Sequence, residues 1–239
     1  MGVGLHSGVS HVPIAFLPQP TLTSLEPTAV LFDLDGTISN SGVAITSAVA
    51  EALAVSGYPP LSEADLLHFA GPPIRDGFRE FGGVAEEDLD RVVAAFRPLY
   101  EGRMLAPAFA GMPELVRELH ARGVPIALAT SKRRALAVQI VEHSGLTEYF
   151  TVQCGATDDG TRAWKADIVE DALAALRDEG VDVSRAVMVG DRDHDVNGAI
   201  THDILSVFVA WGYGTAEERD GASAVATDVG ELAQLLGVG

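Results

Sequence analysis

The sequence predicts an α/β protein, a doubly wound and mainly parallel sheet with an all-helical segment inserted after the first strand. Three observations carry that prediction. Short continuous apolar runs stop abruptly at polar or glycine residues, as strands buried on both faces do. Helical patterns of about 10 to 15 residues separate most of these runs, which implies right-handed strand-helix-strand units. Between residues 43 and 106 that alternation lapses and only helical patterns occur.

The first run is AVLF (29–32), stopped by Asp33 and by the Asp35-Gly36 turn signal. PIALAT (125–130) and AVMVG (186–190) repeat the design, LSVFVAWG (205–212) is a longer version, and TVQCG (151–155) a weaker one. The helices PELVRELHARG (113–123), RRALAVQIVEHSG (133–145) and KADIVEDALAALRDEG (165–180) end at Gly123, Gly145 and Gly180, glycine being the usual residue just past a helix C-terminus. In the inserted segment VAITSAVAEALAVSG, LSEADLLHFAG and AEEDLDRVVAAFRPLYEG read as helices, and Pro98 is expected to end or kink the last of them. The expected organisation is therefore a core formed by residues 28–42 and 107–239, a helical cap over 43–106, and a flexible extension over 1–27. That extension has no Lys or Arg and no unbroken apolar stretch, so it lacks the pattern of a signal peptide. The 33 residues between Ser131 and Lys165 are used up by a helix, a strand and a loop, which leaves no room for a second insertion.

Charge narrows the possible partners. With 16 Lys and Arg against 34 Asp and Glu, the formal charge of −18 repels nucleic-acid polymers and anionic membranes alike. A small anionic substrate then requires a local cation or aimed backbone N–H groups. The single cysteine, Cys154, cannot form an internal disulfide, which fits strand packing in a reducing, cytoplasmic setting. No stretch approaches the roughly 18 apolar residues of a membrane span. A monomer or homodimer acting on a small metabolite is expected.

Ligands of open parallel sheets bind at the carboxyl ends of the strands. The polar residues there are Asp33 and Asp35, Thr130 and Ser131, and Asp191 and Asp195. Carboxylates gathered in one crevice repel one another unless a cation compensates. Oxygen ligands without Cys or His at metal spacing favour a hard ion such as Mg²⁺. Thr130 and Ser131 suit an anionic oxygen ahead of a helix, and Lys165 adds positive charge.

DLDGT at 33–37 after a strand, a strand ending in Thr130-Ser131, Lys165 at the head of a helix and GDRDHD at 190–195 resemble, in order, the four motifs of the haloacid dehalogenase superfamily. The insertion after the first strand is similar to that superfamily's helical cap. VGDRDHDVNGA, WGYG (211–214) and GPPIRDGF (71–78) look most like the branch of phosphoglycolate phosphatases and 5′-nucleotidases. The resemblance implies a Mg²⁺-dependent phosphomonoesterase. Asp33 would be the nucleophile that takes the phosphoryl group, and Asp35 the acid and then the base. Mg²⁺ would be held by Asp33, the Asp35 carbonyl and Asp191. Thr130 and Lys165 would bind the non-bridging oxygens, and Asp195 would orient Lys165 or metal-bound water.

Other residues are weighed against plainer readings. Arg75 in GPPIRDGF is a candidate substrate contact, because a Gly-Pro-Pro turn can aim a guanidinium across a cleft. His194, Trp211 and Tyr213 are read as structural before functional, and Arg133 stands where many members of the superfamily have proline. Three rival activities remain. A sugar phosphomutase returns the phosphoryl group to a sugar, a metal-free dehalogenase needs only Asp33, and a receiver-like switch keeps it on the aspartate.

Overall fold

A computed structural model describes residues 24–238 of the chain. In chain order it comprises β1 (Ala29–Phe32), α1 (Gly42–Val55), α2 (Glu63–Leu67), α3 (Ile74–Glu80), α4 (Leu89–Glu101), α5 (Met112–Ala121), β2 (Ile126–Arg133), α6 (Arg134–His143), β3 (Val152–Ala156), α7 (Lys165–Asp178), β4 (Ala186–Gly190), α8 (Asp193–Thr201), β5 (Leu205–Val209), β6 (Ala224–Ala226) and α9 (Val229–Leu235). The six strands form one sheet in the order β3-β2-β1-β4-β5-β6, and every pair is parallel. The chain steps outward from β1 to β3 and then crosses back to β4, so the order reverses beside β1. That reversal opens a crevice at the carboxyl ends of β1, β2 and β4.

Because side chains alternate along a strand, the sheet feeds two apolar layers. Ala29, Leu31, Ala127, Ala129, Ala186 and Met188 pack against α7 and α8. Val30, Phe32, Ile126, Leu128, Val187 and Val189 face the other way, in a layer that continues into the inserted helices. Both faces of the sheet are thus covered, which is why its strands read as unbroken apolar runs. Cys154 lies half-buried on β3 beside the first of these layers, where burial pushes its thiol pKa up.

Four details differ from the sequence expectation. Strand β2 runs on to Arg133, with a register shift between Thr130 and Arg133 that lets Arg133 pair with Ala156. Strand β5 stops at Val209, because the WGYG segment leaves the sheet to wrap Asp191. Pro98 lies inside α4 without ending it. It removes one backbone donor only a turn before the helix closes, and the Gly102 N–H still caps the Pro98 carbonyl at 3.2 Å. The Gly-Pro-Pro turn of GPPIRDGF is followed directly by a helix not expected there, α3, with Pro73 as its N-cap at φ −54°. Gly77 inside this short helix weakens its sequence signal. A Cβ there would stand 3.0 Å from the Phe69 ring.

The short β6 and α9 close the sheet edge beyond β5. Leu25 is buried and its N–H donates to the Leu235 carbonyl at 2.7 Å, so the chain is already packed there. The remainder of the expected extension, residues 1–23, lies outside the described residues. Among the described residues no helix is long and apolar enough to cross a membrane.

The inserted helices leave and rejoin the sheet through two adjacent strands of backbone. The Asn40 N–H donates to the Pro107 carbonyl at 2.9 Å and the Phe109 N–H to the Ile38 carbonyl at 2.8 Å. Inside the insertion α1 packs on α4, around a run of rings in which Phe78 meets Phe69 at 5.2 Å and Phe96 at 5.9 Å. Phe96 stacks in turn on Tyr100 at 5.4 Å. This places Tyr100, the last ring of the run, over the end of β2.

Candidate active site

The turn after β1 sets the first two carboxylates. The Leu34 carbonyl accepts N–H groups from both Ile38 (2.9 Å) and Ser39 (2.8 Å), a single tight turn that Gly36 permits at φ +80°. Asp33 and Asp35 are both buried there, yet each has its own cationic partner. Lys165, the first residue of α7, reaches Asp33 Oδ1 at 2.7 Å and Asp195 Oδ1 at 2.8 Å, and donates to the Ala129 carbonyl at 2.9 Å. Lys132, on the extended end of β2, pairs with Asp35 Oδ2 at 2.5 Å, while Ser41 Oγ donates to Asp35 Oδ1 at 2.6 Å.

Asp191 follows β4 and is fully buried. Thr37 Oγ1 donates to its Oδ1 at 3.2 Å and the Tyr213 N–H to its Oδ2 at 2.8 Å. Glycine is needed around it. A Cβ on Gly36 would lie 2.1 Å from Asp191 Oδ2 and one on Gly212 would lie 2.2 Å from Asp191 Cβ, so any side chain at either position would displace the carboxylate. Gly214 is held the same way, since a Cβ there would lie 2.0 Å from the Asp191 carbonyl oxygen, which accounts for both glycines of WGYG. Trp211 donates to the Thr37 carbonyl at 3.2 Å, and the Tyr213 hydroxyl accepts the Gly42 N–H at 2.7 Å, so both aromatics brace the first turn and the hinge of the insertion.

One ligand oxygen each from Asp33, Asp191 and Asp195 lies within 4.8 Å of the others, in a fully buried group. Burial lifts the Asp33 carboxyl to about 6, with Lys165 pulling down and Asp195 and Asp35 pushing up. Burial also raises Asp191 well above the usual carboxylate range, reinforced by Asp195 and Asp33. Lys165 is held charged, since Asp195 and Asp33 outweigh the cost of its burial. Asp33 and Asp195 share one ammonium, and Asp191 beside them has no ion-pair partner among the described residues. A hard divalent cation fits both the charge and the all-oxygen donor set.

The remaining expected residues are placed as follows. Thr130 is buried, and its Oγ1 accepts the Lys132 N–H at 3.3 Å, while Ser131 is half-buried at the cleft wall. Asp195 accepts the Arg192 N–H at 3.1 Å as well as facing Lys165, so it both starts α8 and orients the lysine. Arg75 lies on the first turn of α3 and borders the cleft, with its donors engaged by Asp90 and by Glu86. His194 packs edge-on to Trp164 at 5.9 Å.

Lys132 is the residue the sequence reading passed over. A signal existed, for the chain contains only two lysines, Lys132 and Lys165, and both are buried against its motif aspartates. Beside them a cleft of about 520 Å³ runs between the insertion and the carboxyl ends of the strands. Asp35, Lys132 and Ser131 border it from the sheet, and Phe69, Phe96 and Tyr100 from the insertion.

The family described as haloacid dehalogenase-like hydrolase matches residues 30–209. The chain belongs to this family. Among its relatives, the tyrosine-protein kinase PtkA of Mycobacterium tuberculosis is 40% identical over 89% of this chain and 73% of its own length. A 5′-nucleotidase of Pseudomonas aeruginosa is 34% identical over 79% of this chain and 85% of its own length. A crystal structure described as a predicted phosphatase from Clostridium acetobutylicum is 30% identical, with a TM-score of 0.79 over 86% of this chain and 96% of that one. Membership makes this chain a haloacid dehalogenase-like enzyme, and its four motifs lie within the matched span.

Proposed function

We propose that the protein is a Mg²⁺-dependent phosphomonoesterase working through an aspartyl-phosphate on Asp33. One observation carries the reading: two neighbouring buried carboxylates have separate cations, Asp33 with Lys165 and Asp35 with Lys132. A pair divided in this way can do two jobs at once. Asp33 attacks phosphorus, which splits one difficult displacement into two easier ones. Asp35 takes a proton from the hydrolytic water in the second displacement and carries that proton to the leaving oxygen of the next first displacement, a role typically contributing about 10²–10⁴ in rate. Lys165 and Thr130 hold the non-bridging oxygens, and Asp195 keeps Lys165 aimed. Asp33, Asp191 and the Asp35 carbonyl would hold Mg²⁺, which supplies positive charge that screens nucleophile from phosphate.

The size of the cleft bears on the substrate. About 520 Å³ lies in the range of pockets built for drug-sized ligands, and glycolate would fill little of it. Phe69, Phe96 and Tyr100 make the insertion side of the cleft apolar and aromatic, which suits a ring-bearing leaving group, and Arg75 at the rim would meet an anionic edge only by giving up Asp90 or Glu86. A nucleoside 5′-monophosphate is therefore preferred to phosphoglycolate.

A phosphate-release screen with Mg²⁺ over nucleoside monophosphates, phosphoglycolate and sugar phosphates tests both statements. Nucleoside monophosphates should exceed phosphoglycolate by at least roughly tenfold in kcat/KM, the discrimination a few lost apolar contacts give. Isomerised sugar phosphate with little free phosphate would instead make the enzyme a mutase.

A second reading is favoured by the 40%-identical relative named tyrosine-protein kinase PtkA. In it the phosphoryl group passes to a tyrosine hydroxyl rather than to water. The sequence holds no G-x-x-x-x-G-K-[ST] loop to cradle a nucleoside triphosphate. Adding a tyrosine peptide and ATP to the same assay separates the readings. Phosphotyrosine formed without free phosphate would favour transfer.

A further inference from the structure

We propose that Lys132 is the positioning residue of the acid–base carboxylate Asp35, and that Tyr100 ties this positioning to the helical insertion. The inference rests on the reading of Asp35 as acid and base. It begins from an allocation of oxygens. Ser41 takes Asp35 Oδ1 and Lys132 takes Oδ2, so the carboxyl is gripped from both sides and its rotation is fixed. Lys132 and Asp35 border the cleft whereas Ser41 does not, so the carboxyl meets an incoming leaving group from the side on which Lys132 stands. Lys132 stands beside that meeting point.

What holds Lys132 is a residue of the insertion. Its Nζ lies 4.5 Å from the centre of the Tyr100 ring, within the range of a cation–π contact. The side chains of Lys132 and Asp35 are each only 9% exposed, so the pair is shielded from water and from screening by salt. Tyr100 is 3% exposed and its hydroxyl has no hydrogen-bond partner among the described residues. A buried ion pair is weak evidence for stability, since its desolvation offsets most of its attraction. Here it stands at the reacting end of the cleft and under a ring supplied by α4. Any movement of α4 relative to the sheet therefore shifts Lys132, and with it the aim of Asp35. Lys132 lies within the register shift of β2 between Thr130 and Arg133, and irregularities of this kind re-aim side chains at strand ends.

The consequence is specific. A correctly aimed acid matters most for a poor leaving group and little for a good one. The test compares wild type, Lys132→Met and Lys132→Arg with Mg²⁺, on p-nitrophenyl phosphate and on the best alkyl phosphate from the screen. In Lys132→Met the ratio of alkyl to aryl kcat should fall at least about tenfold, a part of the 10²–10⁴ that acid–base catalysis supplies. Lys132→Arg should recover part of the ratio, and KM should change little in either variant. Equal losses on both esters would overturn the proposal, because they would mark a general phosphate-binding or folding role.

A second measurement needs no turnover, so it still decides if the phosphatase reading itself fails. Only two lysines exist, and reductive methylation followed by peptide mapping reads each one separately. In wild type Lys132 should be methylated far more slowly than the chain's α-amino group. In Tyr100→Leu its labelling should rise at least about tenfold while Lys165 stays protected, because local opening controls access to a buried amine. Unchanged Lys132 labelling in Tyr100→Leu would overturn the tie to the insertion, and wild-type labelling as fast as the α-amino group would overturn the grip on Asp35.

Discussion

Asp33→Asn should abolish phosphate release and, in metal-free protein near neutral pH, raise the melting temperature. The activity follows from chemistry, since an amide cannot take the place of a carboxylate nucleophile, and a loss of roughly 10⁴-fold or more is expected. The stability follows from burial. Asp33 is 3% exposed and its carboxyl is lifted from 3.8 to about 6. Below its unfolded value both states hold the proton and burial carries no charge penalty. As pH rises through about 6 the folded state must ionise a buried group, and stability is lost. About two pKa units correspond to about 3 kcal/mol in full. Asparagine removes that penalty but gives up the contact with Lys165, which Asp195 still holds. A net gain of about 1–2 kcal/mol would move the midpoint of a chain this size by several degrees. Thermal melts in chelator should show the gain at about pH 7.5 and a smaller one toward about pH 4.5. A variant less stable than wild type at both pH values would contradict this.

Mg²⁺ should stabilise the wild-type protein, and more at neutral than at acid pH. Three buried carboxylates lie together with Lys165 as the one ammonium among them, and both Asp33 and Asp191 resist ionising because of their burial. Above about pH 6 that resistance costs the metal-free fold, and a divalent ion relieves it. At lower pH protons occupy the carboxylates and compete with the metal. At 100 times its dissociation constant a ligand adds about 2.7 kcal/mol. A protein of formal charge −18 is also stabilised by any salt, so ionic strength must be matched with NaCl. Asp191→Asn should lose most of the specific effect. Equal stabilisation by NaCl, or by Mg²⁺ in Asp191→Asn, would remove the ion from this site.

Much of this arrangement was legible in the sequence for identifiable reasons. Strands buried on both faces print as unbroken apolar runs, and β1, β2 and β4 did so. A parallel sheet then sends the residues after each strand to one crevice, which brought Asp33, Asp191 and Asp195 together with Lys165. What escaped notice depended on tertiary contact. The three-residue β6 is too short for periodicity to detect. Helix α3 contains a glycine needed by the Phe69 ring, and the prolines before it read as a turn. Lys132 escaped because its role comes from a strand that continues past Thr130, a continuation set by pairing with β3.

The central claim is that the phosphoryl group passes through Asp33. Rapid acid quench during turnover with Mg²⁺ and a saturating substrate, followed by peptide mass mapping, tests it directly. A phosphoryl adduct should appear on the peptide carrying Asp33, formed within the first turnover and absent in Asp33→Asn. Steady phosphate release with no adduct on Asp33 at any quench time would contradict it.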